Sequence, residues 1–403
     1  MYLPLANLAH HKLATALNAL GIGIGICMLV TLSGLSRGSL YEVADRWEAV
    51  DADLFAYPQI FSRNVSSLAG VGLNDRYGDV MLERHGELIE RVVPVFLWRA
   101  RVAGEDHLTA GVDPQDFAVL TGGRTPREGR VFDPGNQFAR WIEHRLLAPT
   151  DEDAPAVIDL TEAELAGEGH DGLEIVIDDR LATAGGLHVG QTVEMANHRF
   201  EIVGIVPAGG MCRVYLPRRT AQYLFGGDIT KSTLLMIRLR EGTDPADAAR
   251  ALTGMGIEAV QIRQFRQMLE EQFGIMFVYV DVVNGVALVI AFLFIMITLY
   301  TMVLRRRRDI AILKSSGASG AFIVRQVLGE ALLLTGAGLA VGLGLSVGAG
   351  WLIETLRPLL TVEMNWRWVA VAGGAAMLGA ALSAIYPAWR ATRVDMLEAL
   401  TLE

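Results

Sequence analysis

Val282 to Leu304 read VVNGVALVIAFLFIMITLYTMVL, 23 positions without a charge, and Arg305, Arg306, Arg307 and Arg308 follow at once. A hydrocarbon core about 30 Å thick needs about 20 apolar residues in helical form. This run is long enough to cross it. The arginines set its direction, because Lys and Arg accumulate on cytoplasmic flanks. The helix is expected to end inside.

Three more charge-free windows, Leu13–Ser36, Ala331–Ile353 and Trp368–Trp389, hold 24, 23 and 22 residues. Core helices of soluble proteins usually run about 8–20 residues and keep a polar face, so four such windows read as membrane spans. If span 2 ends inside, spans 1 and 3 start inside and span 4 ends inside. Lys12, Arg390 and Arg393 agree. The first window is too long for the ~7–15-residue apolar region of a cleaved signal peptide. The expectation is a multi-pass protein of the inner (plasma) membrane with both termini cytoplasmic. Residues 1–36 form an amphipathic N-terminal segment and span 1, 37–281 an extracytoplasmic domain, and 282–304 span 2. A cytoplasmic loop at 305–330 follows, then span 3 at 331–353, a short outer loop at 354–367, span 4 at 368–389 and a cytoplasmic tail at 390–403.

Charge divides along the same lines. Residues 37–281 carry 24 Lys and Arg against 38 Asp and Glu, a net of −14, and the remainder carries +4. The acidity belongs to the inserted domain. Nucleic-acid binding has no support, because the only basic run abuts a span. Cys27 lies in span 1 and Cys212 is alone in the inserted domain, which excludes a disulfide within it. A domain of 245 residues can bury an adequate core without one.

Within that domain, Ser36–Val50 continues the first helix, with Leu40, Val43, Trp47 and Val50 at spacings of 3, 4 and 3. Before span 2, Phe265, Met268, Gln272 and Met276 recur at 3, 4 and 4, flanked by Leu269 and Phe273. Two amphipathic helices rising from adjacent spans would make a stalk; an ordinary domain would use them as core helices. Between them, Val189–Met195 and Arg199–Val206 alternate around Ala196-Asn197-His198, a hairpin pattern. Leu234–Leu239, Asp244–Leu252 and Ile257–Ile262 read as strand, helix and strand, a small βαβ unit. Asp151–Gly172 and Tyr57–Leu73 read as loops. The fold class is an α-helical membrane protein with four transmembrane helices and a large α/β (α+β) extracytoplasmic domain inserted between helices 1 and 2.

Catalytic signatures are missing. A phosphate-binding loop needs Gly-x-x-x-x-Gly-Lys-Ser/Thr. The three lysines follow His11, Thr230 and Leu313, so none can complete it. No His-Glu-x-x-His occurs, and the eight histidines lack zinc-ligand spacing. Gly34-Leu35-Ser36-Arg37-Gly38 fits Gly-x-Ser-x-Gly, but that pattern holds a nucleophile only on a strand-to-helix turn, and here it ends a membrane helix. No catalytic, cofactor-binding or metal-binding residue is expected.

Besides the thiol of Cys27, the spans contain no ionisable side chain except Tyr300 and Tyr386. Ion and proton pathways usually display such groups, which argues against a channel or a proton-coupled carrier. Gly21 with Gly25, Gly338 with Gly342, and Gly344 with Gly348 form Gly-x-x-x-Gly pairs suited to close helix packing. In span 3 the spacing also fits a merely Gly-rich helix.

The loop after span 2 carries the most specific pattern. Arg305 to Ser319 reads as a short amphipathic helix closed by Gly317, with Ile310 and Leu313 toward a partner and the arginines toward lipid phosphates. A second helix, Ala321–Glu330, leads into span 3.

At these residues the chain resembles the FtsX/MacB-like permease family of ABC transporters. The family's Arg-Arg-x-Glu-Ile-x-Ile-Leu-Lys-x-x-Gly-Ala-Ser is met by Arg307, Arg308, Asp309, Ile310, Ile312, Leu313, Lys314, Gly317, Ala318 and Ser319, with Asp309 in place of Glu. Its closing motif is met by Pro387, Ala388, Arg390, Ala391, Asp395, Glu398, Ala399 and Leu400, with Met396 where a proline is usual. Asn7, Leu8, Lys12, Leu17, Leu20, Gly21 and Ile22 follow the N-terminal pattern. Glu174 through Leu187, Gly190 and Val203–Val206 to Tyr223-Leu224 is similar to the family's extracytoplasmic domain. Ala52–Val112 and Asp151–Gly172 are not placed by it.

The resemblance implies a homodimer, or a heterodimer with a related permease, that binds a separate ABC ATPase through Arg308, Asp309, Ile310, Leu313, Lys314 and Gly317. ATP and Mg would be held by that ATPase. Its closure would pass through the spans to the stalk residues Leu40, Val43, Trp47, Phe265 and Met268, which is mechanotransmission. Export or release of a hydrophobic, lipidated or periplasmic substrate is one outcome, with a periplasmic adaptor or substrate-carrier protein as a further partner. The alternative is a non-transporting signal transmitter of FtsX type that activates a cell-wall hydrolase or sensor. A helix as small as 305–319 is expected to be unable to bury its apolar residues within its own chain. Ile310, Leu313 and Lys314 should therefore face the ATPase rather than the bilayer.

Overall fold

The computed structural model describes residues 12–59, 72–133, 173–226, 228–254, 256–305, 307–357, 359–362 and 366–392. The loop read at Asp151–Gly172 lies outside them, as do 60–71 of the loop read at Tyr57–Leu73 and the motif residues Asn7, Leu8, Asp395, Met396, Glu398, Ala399 and Leu400. Two compact units are present, Met1–Ser39 with Ile275–Glu403 and Leu40–Gly274.

The elements run α1 (Lys12–Glu48), β1 (Leu54–Pro58), β2 (Leu73–Asn74), α2 (Arg76–His85), β3 (Ile89–Val102), β4 (Glu105–Val112), β5 (Glu128–Gly129), β6 (Glu174–Asp178) and α3 (Asp179–Gly185). Then come β7 (Thr192–Met195), β8 (His198–Val206), β9 (Val214–Pro217), β10 (Lys231–Ser232), β11 (Leu234–Leu239), α4 (Pro245–Leu252) and β12 (Ile257–Gln261). The chain closes with α5 (Phe265–Arg305), α6 (Arg307–Ser315), α7 (Gly320–Leu356) and α8 (Trp366–Thr392).

Among the described residues, four helices are long and apolar enough to cross a membrane. In the helical unit they share one core: Ala19, Ile22, Ile26 and Val30 of α1, Ile295 of α5, Ala331 and Leu334 of α7, and Ala372, Ala376, Ala380 and Ala384 of α8. The four α8 alanines recur every fourth residue, and such small residues bring helix backbones close. A Cβ on Gly338 would lie 2.6 Å from Ile22 Cγ2, and one on Gly342 would lie 2.8 Å from the Gly23 carbonyl oxygen. The α1 glycine at this crossing is Gly23, while Gly21 and Gly25 beside it are half-buried. Gly344 and Gly348 have nothing within 4 Å. Two residues turn a helix by about 200°, so the second pair points away from the first.

Spans 1 and 2 are joined by polar groups. Asn284 Nδ2 donates to Ser33 Oγ at 2.8 Å, and Thr298 Oγ1 to Asn18 Oδ1 at 3.2 Å. Arg37 pairs with Asp281 at 3.2 Å and lies 5.0 Å from the Phe277 ring centroid. Little else covers α5. Only 6% of its most apolar window is buried, against 39%, 33% and 39% for the other three.

The inserted unit is built on one twisted sheet in the order β12-β1-β11-β3-β4-β9-β6-β8-β5, with β7 paired to β8. The β7–β8 hairpin turns through Ala196 and Asn197, both at positive φ (50° and 65°), the geometry that matches strand twist in a two-residue loop. The βαβ unit at the C-terminal end has an insert: β1 lies between β11 and β12, antiparallel to both. Tyr57 and Pro58 end that strand rather than begin a loop. All five β1 residues are buried, so it lacks the alternation that marks a half-exposed strand.

Candidate coupling site

α6 is a nine-residue helix between two spans. Its C-terminus is closed by Gly317 at φ 92°, where Ala318 N donates to the Leu313 carbonyl and Gly317 N to that of Lys314, both at 3.0 Å. Only glycine takes this φ at little cost. Ser319 Oγ then accepts from Phe322 N at 3.2 Å and caps α7.

The expected orientation of α6 is reversed. Ile310 packs inside the chain with Val303, Ile323, Val327 and Ala388. Leu313 is half-buried and shares a cavity of about 30 Å³ with Val303, Ile310, Ile323, Gln326, Val327 and Glu330. The Lys314 ammonium donates to the Thr392 carbonyl at 2.9 Å. A short helix can bury its apolar side when two neighbouring spans extend past it, as α5 and α7 do here. Glu330, read as a flank of span 3, is only 4% exposed and lines the same cavity.

What α6 presents outward is Arg308, Ile312 and Ser315, with Ile312 49% exposed. Phe322 and Val324 in the first turns of α7 are exposed too. Arg306 and the side chains of Arg305, Arg307 and Asp309 lie outside the described residues. Among the described side chains, the site is an apolar seat holding a helix whose outer face carries Arg308, Ile312 and Ser315.

In the inserted unit, Leu40 and Trp47 of α1 are buried, and Trp47 stacks on Phe265 of α5. Val43 is 41% exposed and Ala44 fully buried. The inner face is Leu40-Ala44-Trp47-Val50, which keeps three of the four expected residues and takes Ala44 in place of Val43. On α5, Phe265 and Leu269 are buried while Met268 is half-buried.

Sequence reasoning missed the ionic seat of this helix. Glu42 Oε1 accepts from Arg46 at 2.9 Å, Arg180 at 3.1 Å and Arg213 at 2.9 Å. Asp178 caps α3 by accepting from Leu181 N at 2.7 Å and also accepts from Arg46 at 3.2 Å. Burial pushes the Asp178 carboxyl upward, while Arg213 and Arg46 pull it down. His107 of β4 is buried nearby; burial and then Arg213 depress its pKa, and its Nε2 has no hydrogen-bond partner among the described residues. Glu42 and Arg213 stand 171 residues apart, so no local pattern announces the pair.

Residues 15–255 match the MacB-like periplasmic core domain, and residues 282–396, which contain α6 and its seat, match the FtsX-like permease C-terminal domain. The chain belongs to the FtsX/MacB-like permease family. It is similar to macrolide export ATP-binding/permease protein MacB 2 of Aeromonas hydrophila, with 25% identity over 98% of this chain and 59% of that protein. The corresponding MacB of Chlorobium luteolum is 23% identical over 98% of this chain and 58% of that protein. The chain thus spans about three-fifths of the length of these relatives. The periplasmic region of MacB from Actinobacillus actinomycetemcomitans aligns with 55% of this chain and 95% of its own, at 14% identity and a TM-score of 0.35. The extracellular domain of the noncanonic ABC-type transporter YknZ from Gram-positive bacteria aligns with 52% of this chain and 98% of its own, at 14% identity and a TM-score of 0.33.

Proposed function

We propose that the chain is the permease part of an inner-membrane ABC exporter and transmits the motion of an ABC ATPase to its extracytoplasmic domain. The observation that carries this is α6. It is a short helix set on an apolar seat between two spans, with Arg308 and Ile312 outward, inside the segment that matches the FtsX-like permease domain. An exposed isoleucine one helical turn from an exposed arginine suits an apolar groove with an acidic rim. ATP and Mg stay with the ATPase, because this chain has no phosphate-binding loop. The bare face of α5 supports pairing with a second copy, which would cover it. The names of the curated relatives favour an apolar compound as the exported substrate.

The test is co-purification with the ATPase subunit. Ile312→Asp should insert and fold normally, because the side chain is exposed, yet lose the ATPase. Leu313→Asp should instead disturb α6 itself by placing a charge in the cavity. The purified chain alone should turn over no ATP. Retention of the ATPase by Ile312→Asp at wild-type stoichiometry and activity would remove α6 from the coupling role.

A further inference from the structure

Lys314 belongs to the motif that sequence assigns to the ATPase, but its ammonium is turned the other way. Nζ donates to the Thr392 carbonyl at 2.9 Å, in the last described turn of α8. On the same side, Ile310 packs in one cluster with Ala388 of α8. The coupling helix thus meets span 4 through a directional hydrogen bond and a shared apolar cluster.

Span 4 is weakened just above this grip. Pro387 lies inside α8, has no N–H, and leaves the Ser383 carbonyl without its helical donor. Beyond the proline, toward the start of α8, the helix is fixed to span 2 instead. Ser383 Oγ donates to the Phe292 carbonyl at 3.1 Å, and a Cβ on Gly379 would meet Phe292 Cε1 at 1.7 Å. Val303 of α5 and Ile323 and Val327 of α7 share the Ala388 cluster, so after Pro387 α6 adds its hold to two helices that pack on span 4 on both sides of the proline.

We propose that Lys314 is a positioning residue that fastens α6 to the final turn of α8, so that displacement of the coupling helix is delivered first to span 4, about Pro387. Lys314 does not contact the ATPase. The bond runs to a neutral carbonyl, so it needs a donor within reach more than a charge, and Lys314→Arg retains one. This inference rests on α6 being the element the ATPase meets, although the Lys314–Thr392 contact itself does not.

The experiment uses the full chain in nanodiscs, with Cys27→Ser and Cys212→Ser and nitroxides on Ser316→Cys and Arg390→Cys, both exposed positions. Pulsed EPR should give one narrow distance distribution. Lys314→Met should broaden it at least twofold, and Lys314→Arg should restore it. A distribution unchanged in Lys314→Met overturns the proposal. With the ATPase added, Lys314→Met should retain the subunit at wild-type stoichiometry but lose at least fivefold of the coupled activity. Loss of the subunit itself would make Lys314 a direct contact and also overturn the proposal. If Ile312→Asp keeps the ATPase, the coupling role of α6 fails, while the EPR result still decides whether Lys314 holds span 4.

Discussion

The indole of Trp47 and the ring of Phe265 are stacked, with centroids 3.9 Å apart and planes 11° from parallel. Phe55 of β1 stands edge-on to both, at 5.3 Å and 5.9 Å. The residues by which the chain enters and leaves the inserted unit are thus pinned to one another and to the sheet. Aromatic pairs of this kind add about 0.5–1.5 kcal/mol to the area they bury.

Trp47→Ala should destabilise the inserted unit by about 3–5 kcal/mol, the usual cost of emptying a large aromatic site. Val43→Ala, on the exposed side of the same turn, should change stability by no more than about 0.5 kcal/mol. Thermal melts of the full chain followed by circular dichroism would show the difference. Equal losses would restore Val43 to the buried stripe.

The span 1–span 3 crossing depends on Gly342. Gly342→Val should force α1 off α7, at about 1–3 kcal/mol for an overpacked contact. Gly344→Val, which meets nothing within 4 Å, should be tolerated. Unfolding in detergent would rank the two variants; comparable damage from both would mean that Gly344 is covered.

His107 makes stability pH-dependent. Its folded pKa is lowered from 6.5, by burial first and Arg213 second, against Glu105 and Asp178. The unfolded state therefore takes up the proton more readily. The contribution is present above about pH 6.5 and is lost as pH falls from there through the lowered folded pKa. His107→Gln should flatten the fall of the melting midpoint on acidification. Parallel curves for the two proteins would exclude His107 as the cause.

Cys212 should be inert. Burial pushes its thiol up to about 12 and leaves it protonated at neutral pH. The native protein should resist maleimide at Cys212 at about pH 8, and denaturation should expose it. Rapid native labelling, read by mass spectrometry, would show that this part of the core opens.

The fold was legible where its cause is local. A membrane core imposes a continuous apolar length, so the four spans and the inserted α/β domain between the first two stand out in the sequence. The β7–β8 hairpin was equally legible, because Ala196-Asn197 interrupts an alternating pattern. Strand β1 was not, because burial on both faces removes the alternation.

The sequence by itself determined the spanning helices, the family motifs and the presence of a short helix ended by Gly317. Tertiary structure decided which way each helix faces. Periodicity locates a face only to about one residue, or 100° of rotation. That margin separates Val43 from Ala44 and Met268 from Leu269. It also separates Ile310 and Leu313, which face the seat, from Ile312, which faces out. The partners Lys314–Thr392 and Glu42–Arg213 lie 78 and 171 residues apart, and chain segments that far apart meet only because the packed spans and the ten-stranded sheet bring them together.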